Sequence, residues 1–106
     1  MALVITDQNF DEIVGDTGIA VVDFWAEWCA PCRKLGPVID EVAAEHKDVR
    51  IGKVNVDQNP TKSVEHGVMS IPTVVFFKDG NPVERRKGLM SKQDIEKIIE
   101  KLKGAE

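Results

Sequence analysis

Cys29 and Cys32 stand three positions apart in Trp28-Cys29-Ala30-Pro31-Cys32, and the sequence holds no other cysteine. Two thiols at this spacing can close a small disulfide ring or open to a dithiol. Such a pair can exchange electrons with a disulfide elsewhere. The surroundings decide whether it does. The pair falls where a buried strand hands over to a long helix. The first turn of a helix presents unpaired N–H groups and a partial positive charge, which together stabilise an anion. Thiolate is the reactive form of cysteine, so Cys29 at this end is expected to titrate below the free value of about 8.5. Pro31 pre-sets the helical backbone where its missing N–H costs nothing. Cys32, one turn further in, is placed to attack a mixed disulfide on Cys29, closing the ring and releasing the reduced partner.

Other uses of the pair are weaker. A zinc site would need His46 or His66, whose separation fits no compact zinc motif, so no metal is expected. A structural staple across so short a loop gains little loop entropy. Two buried but inert cysteines would not need a helix start flanked by Trp28 and Pro31.

Asp23 is the second residue that points to chemistry. It interrupts the apolar run Val21-Val22-Asp23-Phe24-Trp25, and a lone carboxylate in a buried strand is costly. A purely structural use would pair it with a lysine, Lys53 being the obvious candidate. As a functional group, a desolvated aspartate has a raised pKa and can exchange a proton with a thiol.

The elements that must position these groups alternate along the chain. Leu3 to Ile5 reads as a short strand. Thr6 and Asp7 offer a cap for a helix carrying Phe10, Ile13 and Val14. Ile19 to Ala26 is a near-continuous apolar run, the mark of a strand covered on both faces. Pro31 to His46 carries the stripe Leu35, Val38, Ile39 and Val42, with a kink expected at Pro37. Val49 to Asp57 reads as a third strand, Pro60 to Gly67 as a short helix, and Thr73 to Phe77 as a fourth strand. Asp79-Gly80 turns the chain into a charged edge strand, Val83 to Lys87. Ser91 and Asp94 cap a last helix with Ile95, Ile98, Ile99 and Leu102 on one face. The order βαβαβαββα predicts an α/β fold, a central five-stranded mixed sheet flanked by four helices, in one domain over residues 1–106.

Composition narrows the function. A chain of 106 residues with 42% apolar and 30% charged residues is ordinary globular material. The net charge of −4 argues against a nucleic-acid binder. No apolar stretch approaches the roughly 20 residues of a membrane helix. Met1-Ala2-Leu3-Val4-Ile5 lacks the basic and apolar parts of a signal peptide, which predicts a cytoplasmic location.

The stretch Val22-Asp23-Phe24-Trp25-Ala26-Glu27-Trp28-Cys29-Ala30-Pro31-Cys32 resembles the active-site signature of bacterial thioredoxins. Lys53-Val54-Asn55-Val56-Asp57, Asn59-Pro60, Ser70-Ile71-Pro72-Thr73, Phe77-Lys78-Asp79-Gly80 and Gly88 extend the resemblance nearly end to end. It implies the thioredoxin fold and a protein dithiol–disulfide oxidoreductase that reduces client proteins. Cys29 matches the nucleophile and Cys32 the resolving cysteine. Asp23 matches the buried carboxylate that assists proton transfer at Cys32, with Lys53 beside it. Trp28 matches a residue packed on the active-site loop. Pro72 matches a proline after a cis peptide bond, lining the substrate groove with Ile71 and Gly88, while Ala30 and Pro31 complete the docking surface.

The resemblance further implies no cofactor beyond the Cys29–Cys32 disulfide, recharging by a thioredoxin reductase, disulfide-containing clients and a monomer. Three positions depart from the pattern. Ala30 replaces the usual glycine between the cysteines, Lys87 stands where an apolar docking residue is common, and His66 stands where an aromatic is common. Two other functions fit the same motif: a disulfide-forming or isomerising domain, and a binding subunit whose dithiol is incidental. No histidine sits between the cysteines, which favours the reductant over the oxidant.

Overall fold

The apolar run that begins at Ile19 becomes the middle strand of a sheet. In a computed structural model, which describes residues 1–104, the elements are β1 (Leu3–Val4), α1 (Phe10–Val14), β2 (Ile19–Trp25), α2 (Ala30–Glu45), β3 (Arg50–Asn55), α3 (Pro60–Glu65), β4 (Thr73–Lys78), β5 (Asn81–Lys87) and α4 (Lys92–Gly104). The strand order is β1-β3-β2-β4-β5. Strands β1 and β2 run parallel to β3, while β4 is antiparallel to β2 and β5 is antiparallel to β4. This is the five-stranded mixed α/β sheet that the element order predicts.

Alternation along β2 sends its side chains to two cores. Ile19 and Val21 join Ile51, Val74, Phe76 and the apolar faces of α2 and α4. Ala20, Val22 and Phe24 join Val54, Val75, Phe77 and α1. Asp23 continues the first set, so its carboxylate points toward α2. Every residue of the predicted α4 stripe, Ile95, Ile98, Ile99 and Leu102, is buried. The Ser91 hydroxyl caps that helix, accepting from the Asp94 N–H at 3.1 Å.

Element boundaries moved where side chains compete for backbone groups. Thr6 and Asn9 cap one another reciprocally, at 2.7 and 3.2 Å, and α1 therefore starts only at Phe10. Asp7 does not cap α1. Its carboxylate reaches across the chain to the first turn of α3, accepting from the N–H groups of Thr61 (3.2 Å) and Lys62 (2.9 Å). Strand β3 stops at Asn55 rather than Asp57 because the Asn55 side chain accepts from the N–H groups of Asp57 and Gln58, folding the chain into a turn. Asp79 (φ 51°) and Gly80 (φ 85°) form the hairpin turn before β5. Strand β5 starts earlier than predicted and includes Pro82, which an edge strand tolerates. Helix α2 runs through Pro37 without a break.

Candidate active site

Cys29 is the N-cap of α2, with extended backbone at φ −94° and ψ 109°. Its Sγ accepts from the Cys32 N–H at 3.2 Å, so one orphan donor of the helix start is aimed at sulfur. The two cysteines are joined as a disulfide with their Cα atoms 5.2 Å apart. Both are nearly covered, Cys29 at 5% exposure and Cys32 at 2%. Ala30 and Pro31 between them are exposed. The Arg33 guanidinium donates to the Glu27 carbonyl at 2.7 Å, tying the first turn of α2 to the loop before it.

Across the loop, Ile71 and Pro72 are joined by a cis peptide bond at the entry to β4. The Ile71 carbonyl oxygen lies 3.7 Å from Cys29 Sγ. Thr73 donates its hydroxyl to the Ser70 carbonyl at 2.6 Å, and Gly88 donates its N–H to the Pro72 carbonyl at 2.8 Å. Gly88 adopts φ +87°, a conformation that suits glycine. Ile71, Pro72, Gly88 and Cys29 thus come together at one end of the sheet. Beside them opens a groove of about 430 Å³ lined by Trp28, Val56, Val68, Met69, Ser70 and Ile71. Trp28 is 69% exposed and forms a wall of this groove, its indole N–H donating to Asp57 Oδ2 at 2.8 Å. In the sequence, Asp57 carries no role beyond its place in the Lys53–Asp57 stretch, and Met69 none at all.

Asp23 is 1% exposed, and neither carboxylate oxygen has a hydrogen-bond partner. Burial drives its pKa up to about 7, with Lys53 partly opposing the rise and Asp40 adding to it. Asp23 and Cys32 line a small cavity of about 90 Å³ with Trp25, Arg33, Gly36 and Lys53. Lys53 is the cross-strand neighbour of Asp23 in the β2–β3 register, yet it does not bond to Asp23. Its ammonium donates to Asp40 Oδ2 at 3.0 Å instead. The pairing with Lys53 that a structural role for Asp23 would require is therefore replaced by a Lys53–Asp40 pair. Asp40 was legible in principle: Cys32, Gly36 and Asp40 follow at i, i+4 spacing on one face of α2.

The two histidines serve elsewhere. His46 Nε2 lies 2.8 Å from Glu96 Oε2. His66 packs against Phe10 and Phe77, with ring centroids 5.0 and 5.4 Å away, filling an aromatic position, and burial lowers its pKa. Among the described residues no cluster of three or more His, Cys, Asp or Glu could hold a metal ion. No described helix is long and apolar enough to cross a membrane.

Compared with known families, residues 1–101 match the thioredoxin family model. The chain belongs to the thioredoxin family. It is 44% identical over 103 residues to a thioredoxin of Staphylococcus saprophyticus, covering 95% of this chain and 98% of the relative. A Chlamydia pneumoniae thioredoxin is 45% identical over 101 residues, and one from Staphylococcus aureus 43% over 103, each with the same coverage. As a thioredoxin-family member with a Cys-x-x-Cys disulfide at the start of a helix, the chain is a protein dithiol–disulfide oxidoreductase with protein-disulfide reductase activity. Family membership implies a thioredoxin reductase and disulfide-bearing proteins as its general partners.

Proposed function

We propose that this single-domain chain is a monomeric cytoplasmic reductant in which Cys29 attacks a client disulfide and Cys32 resolves the product. The reading rests on one juxtaposition: a disulfide at a helix entry with a buried, unpartnered carboxylate behind its inner sulfur. In the reduced state the Cys29 thiolate is stabilised by the N–H groups of the first turn. It forms a bond to one client sulfur and the other client sulfur leaves as thiolate. Cys32 then gives its proton to Asp23, attacks Cys29 Sγ, and expels the second client thiolate. The cavity that Asp23 and Cys32 share is large enough for a water to relay that proton. Two electrons pass to the client, whose two thiolates take up one proton that Asp23 received from Cys32 and one from water, and the chain is left with the Cys29–Cys32 disulfide. A thioredoxin reductase restores the dithiol, and no further cofactor takes part.

The client docks as an extended segment against the backbone of Ile71, whose carbonyl lies beside Cys29 Sγ, between Pro72, Gly88 and the Ala30-Pro31 tip. Trp28 bounds this surface, and the exposed Lys87 stands next to Gly88 and opposite Thr73 in the sheet. Nucleic acid and membrane have no part in this reading. The test is reduction of a protein disulfide with dithiothreitol as donor, then with NADPH and a thioredoxin reductase, alongside the potential of the pair. Turnover and a potential near about −270 mV are expected, and a potential above about −180 mV would mark an oxidant instead. Activity surviving replacement of both cysteines would reduce the dithiol to an incidental feature of a binding subunit.

A further inference from the structure

Asp40 has no part in the disulfide chemistry described above, yet it holds the cation that sits opposite the buried carboxylate in the sheet. It lies on the face of α2 that carries Cys32 and Gly36, two turns beyond the inner cysteine. One carboxylate oxygen accepts from Lys53 at 3.0 Å and the other from the Ala2 N–H at 3.2 Å. Burial opposes its ionisation, but these two hydrogen bonds outweigh it and keep Asp40 below the usual carboxylate range. It is therefore a fixed anion at neutral pH. Lys53 lines the same cavity as Asp23 and sits opposite it in the sheet, so its reach could serve either carboxylate. It bonds to Asp40, and both Asp23 oxygens stay bare. The groups facing Asp23 are Lys53 from β3 and Cys32, Arg33 and Asp40 from α2. The Asp23 partner on β4 is Val74, which does not titrate. Arg33 is engaged with the Glu27 carbonyl. Lys53 is thus the cation whose placement decides whether Asp23 is neutralised by an ion pair or left free to carry a proton.

We propose that Asp40 is a positioning residue that holds the Lys53 ammonium off Asp23, and so keeps Asp23 able to take up the Cys32 proton. The proposal rests on the role given to Asp23 above. With Asp40 uncharged, Lys53 swings toward Asp23 and stabilises its ionised form. A carboxylate paired with an ammonium holds a proton less tightly and is a poorer base for the Cys32 thiol.

The experiment is a titration of the Asp23 carboxyl carbon by NMR in the oxidised protein, where Cys32 does not titrate. Asp40→Asn should lower the Asp23 midpoint by about 1 pH unit, and Asp40→Glu should restore most of it. In a Lys53→Met background the same Asp40→Asn change should move the midpoint less than half as far. The acid limb of the rate at which Cys32 resolves a preformed Cys29 mixed disulfide should shift down with the midpoint. An unchanged Asp23 midpoint in Asp40→Asn overturns the proposal. So does an equal shift with and without Lys53, which would make Asp40 a direct charge rather than a positioner. Asp23→Asn tests the underlying role separately: if it leaves the resolution rate unchanged, Asp23 is not the proton acceptor, whatever its midpoint does in Asp40→Asn.

Discussion

Asp23 sits where β2 has Ile19 and Val21 on the same face, a position at which an apolar side chain would join the core. Burial holds its folded pKa at about 7 against an ordinary value of 3.8. Below about pH 4 the carboxyl is neutral in folded and unfolded chains alike and contributes nothing to the pH dependence. Between those values the unfolded chain releases the proton while the folded one retains it, so stability falls as pH rises. The loss levels off above the folded value, at about 4 kcal/mol in full. Asp23→Asn removes the charge but leaves a buried amide. It should therefore gain about 1–3 kcal/mol at pH 8 by chemical denaturation of the oxidised protein, with the gain shrinking toward pH 3.5. A gain that does not vary with pH would contradict the buried-carboxylate account. The same variant should slow the resolution step by about tenfold or more at pH just above the Asp23 midpoint, where the carboxylate is ionised and Cys32 still holds a proton to give. The sequence marked Asp23, because one charge in an apolar run stands out. It did not mark which anion Lys53 would choose, since that depends on how α2 lies across the sheet.

At the level of elements, the active-site end is held by contacts that span the chain. Asp7 caps α3 from 54 and 55 residues away, and Lys62 of that helix in turn bonds Asp11 of α1 at 3.0 Å. Asp7→Ala removes two charge-assisted bonds to an orphan helix start and should cost about 1–2 kcal/mol, read as a lower denaturation midpoint with unchanged slope. Gly52 is buried in β3, opposite Leu3 of the parallel neighbour β1. A Cβ there would meet the Ile5 side chain and stand 2.9 Å from the Leu3 carbonyl oxygen. Gly52→Ala should therefore destabilise by about 1–3 kcal/mol through overpacking, and a neutral effect would show that β1 can move aside. Helix α4 was legible from its apolar stripe, and strands β2 and β4 from short apolar runs rich in β-branched and aromatic residues. The ends of α1 and β3 were not, because Thr6, Asp7, Asn9 and Asn55 each had several backbone groups to bond and only the tertiary fold selects among them.

For the whole molecule, the mixed sheet brings the α2 start, the Ile71-Pro72 loop and Gly88 to one end although they are far apart in sequence. The element order predicts that sheet, whereas the cluster at its end came from the resemblance. Ile71-Pro72 alone reads only as a turn before a strand. Met69 was invisible, and Asp57 carried no role beyond its place in the Lys53–Asp57 stretch, because exposed loop residues carry no periodic signal. The two sulfurs should meet unequal fates, one lying at the helix entry beside Ile71 and the other a turn inside, sharing a cavity with Asp23. The most direct measurement is mixed-disulfide trapping, in which single-cysteine variants are incubated with an oxidised client protein and the covalent adducts are quantified. Cys32→Ser should accumulate a stable adduct through Cys29, while Cys29→Ser should form at least about tenfold less. Equal trapping by both variants, or a preference for Cys32, would contradict the assignment of Cys29 as the attacking thiol.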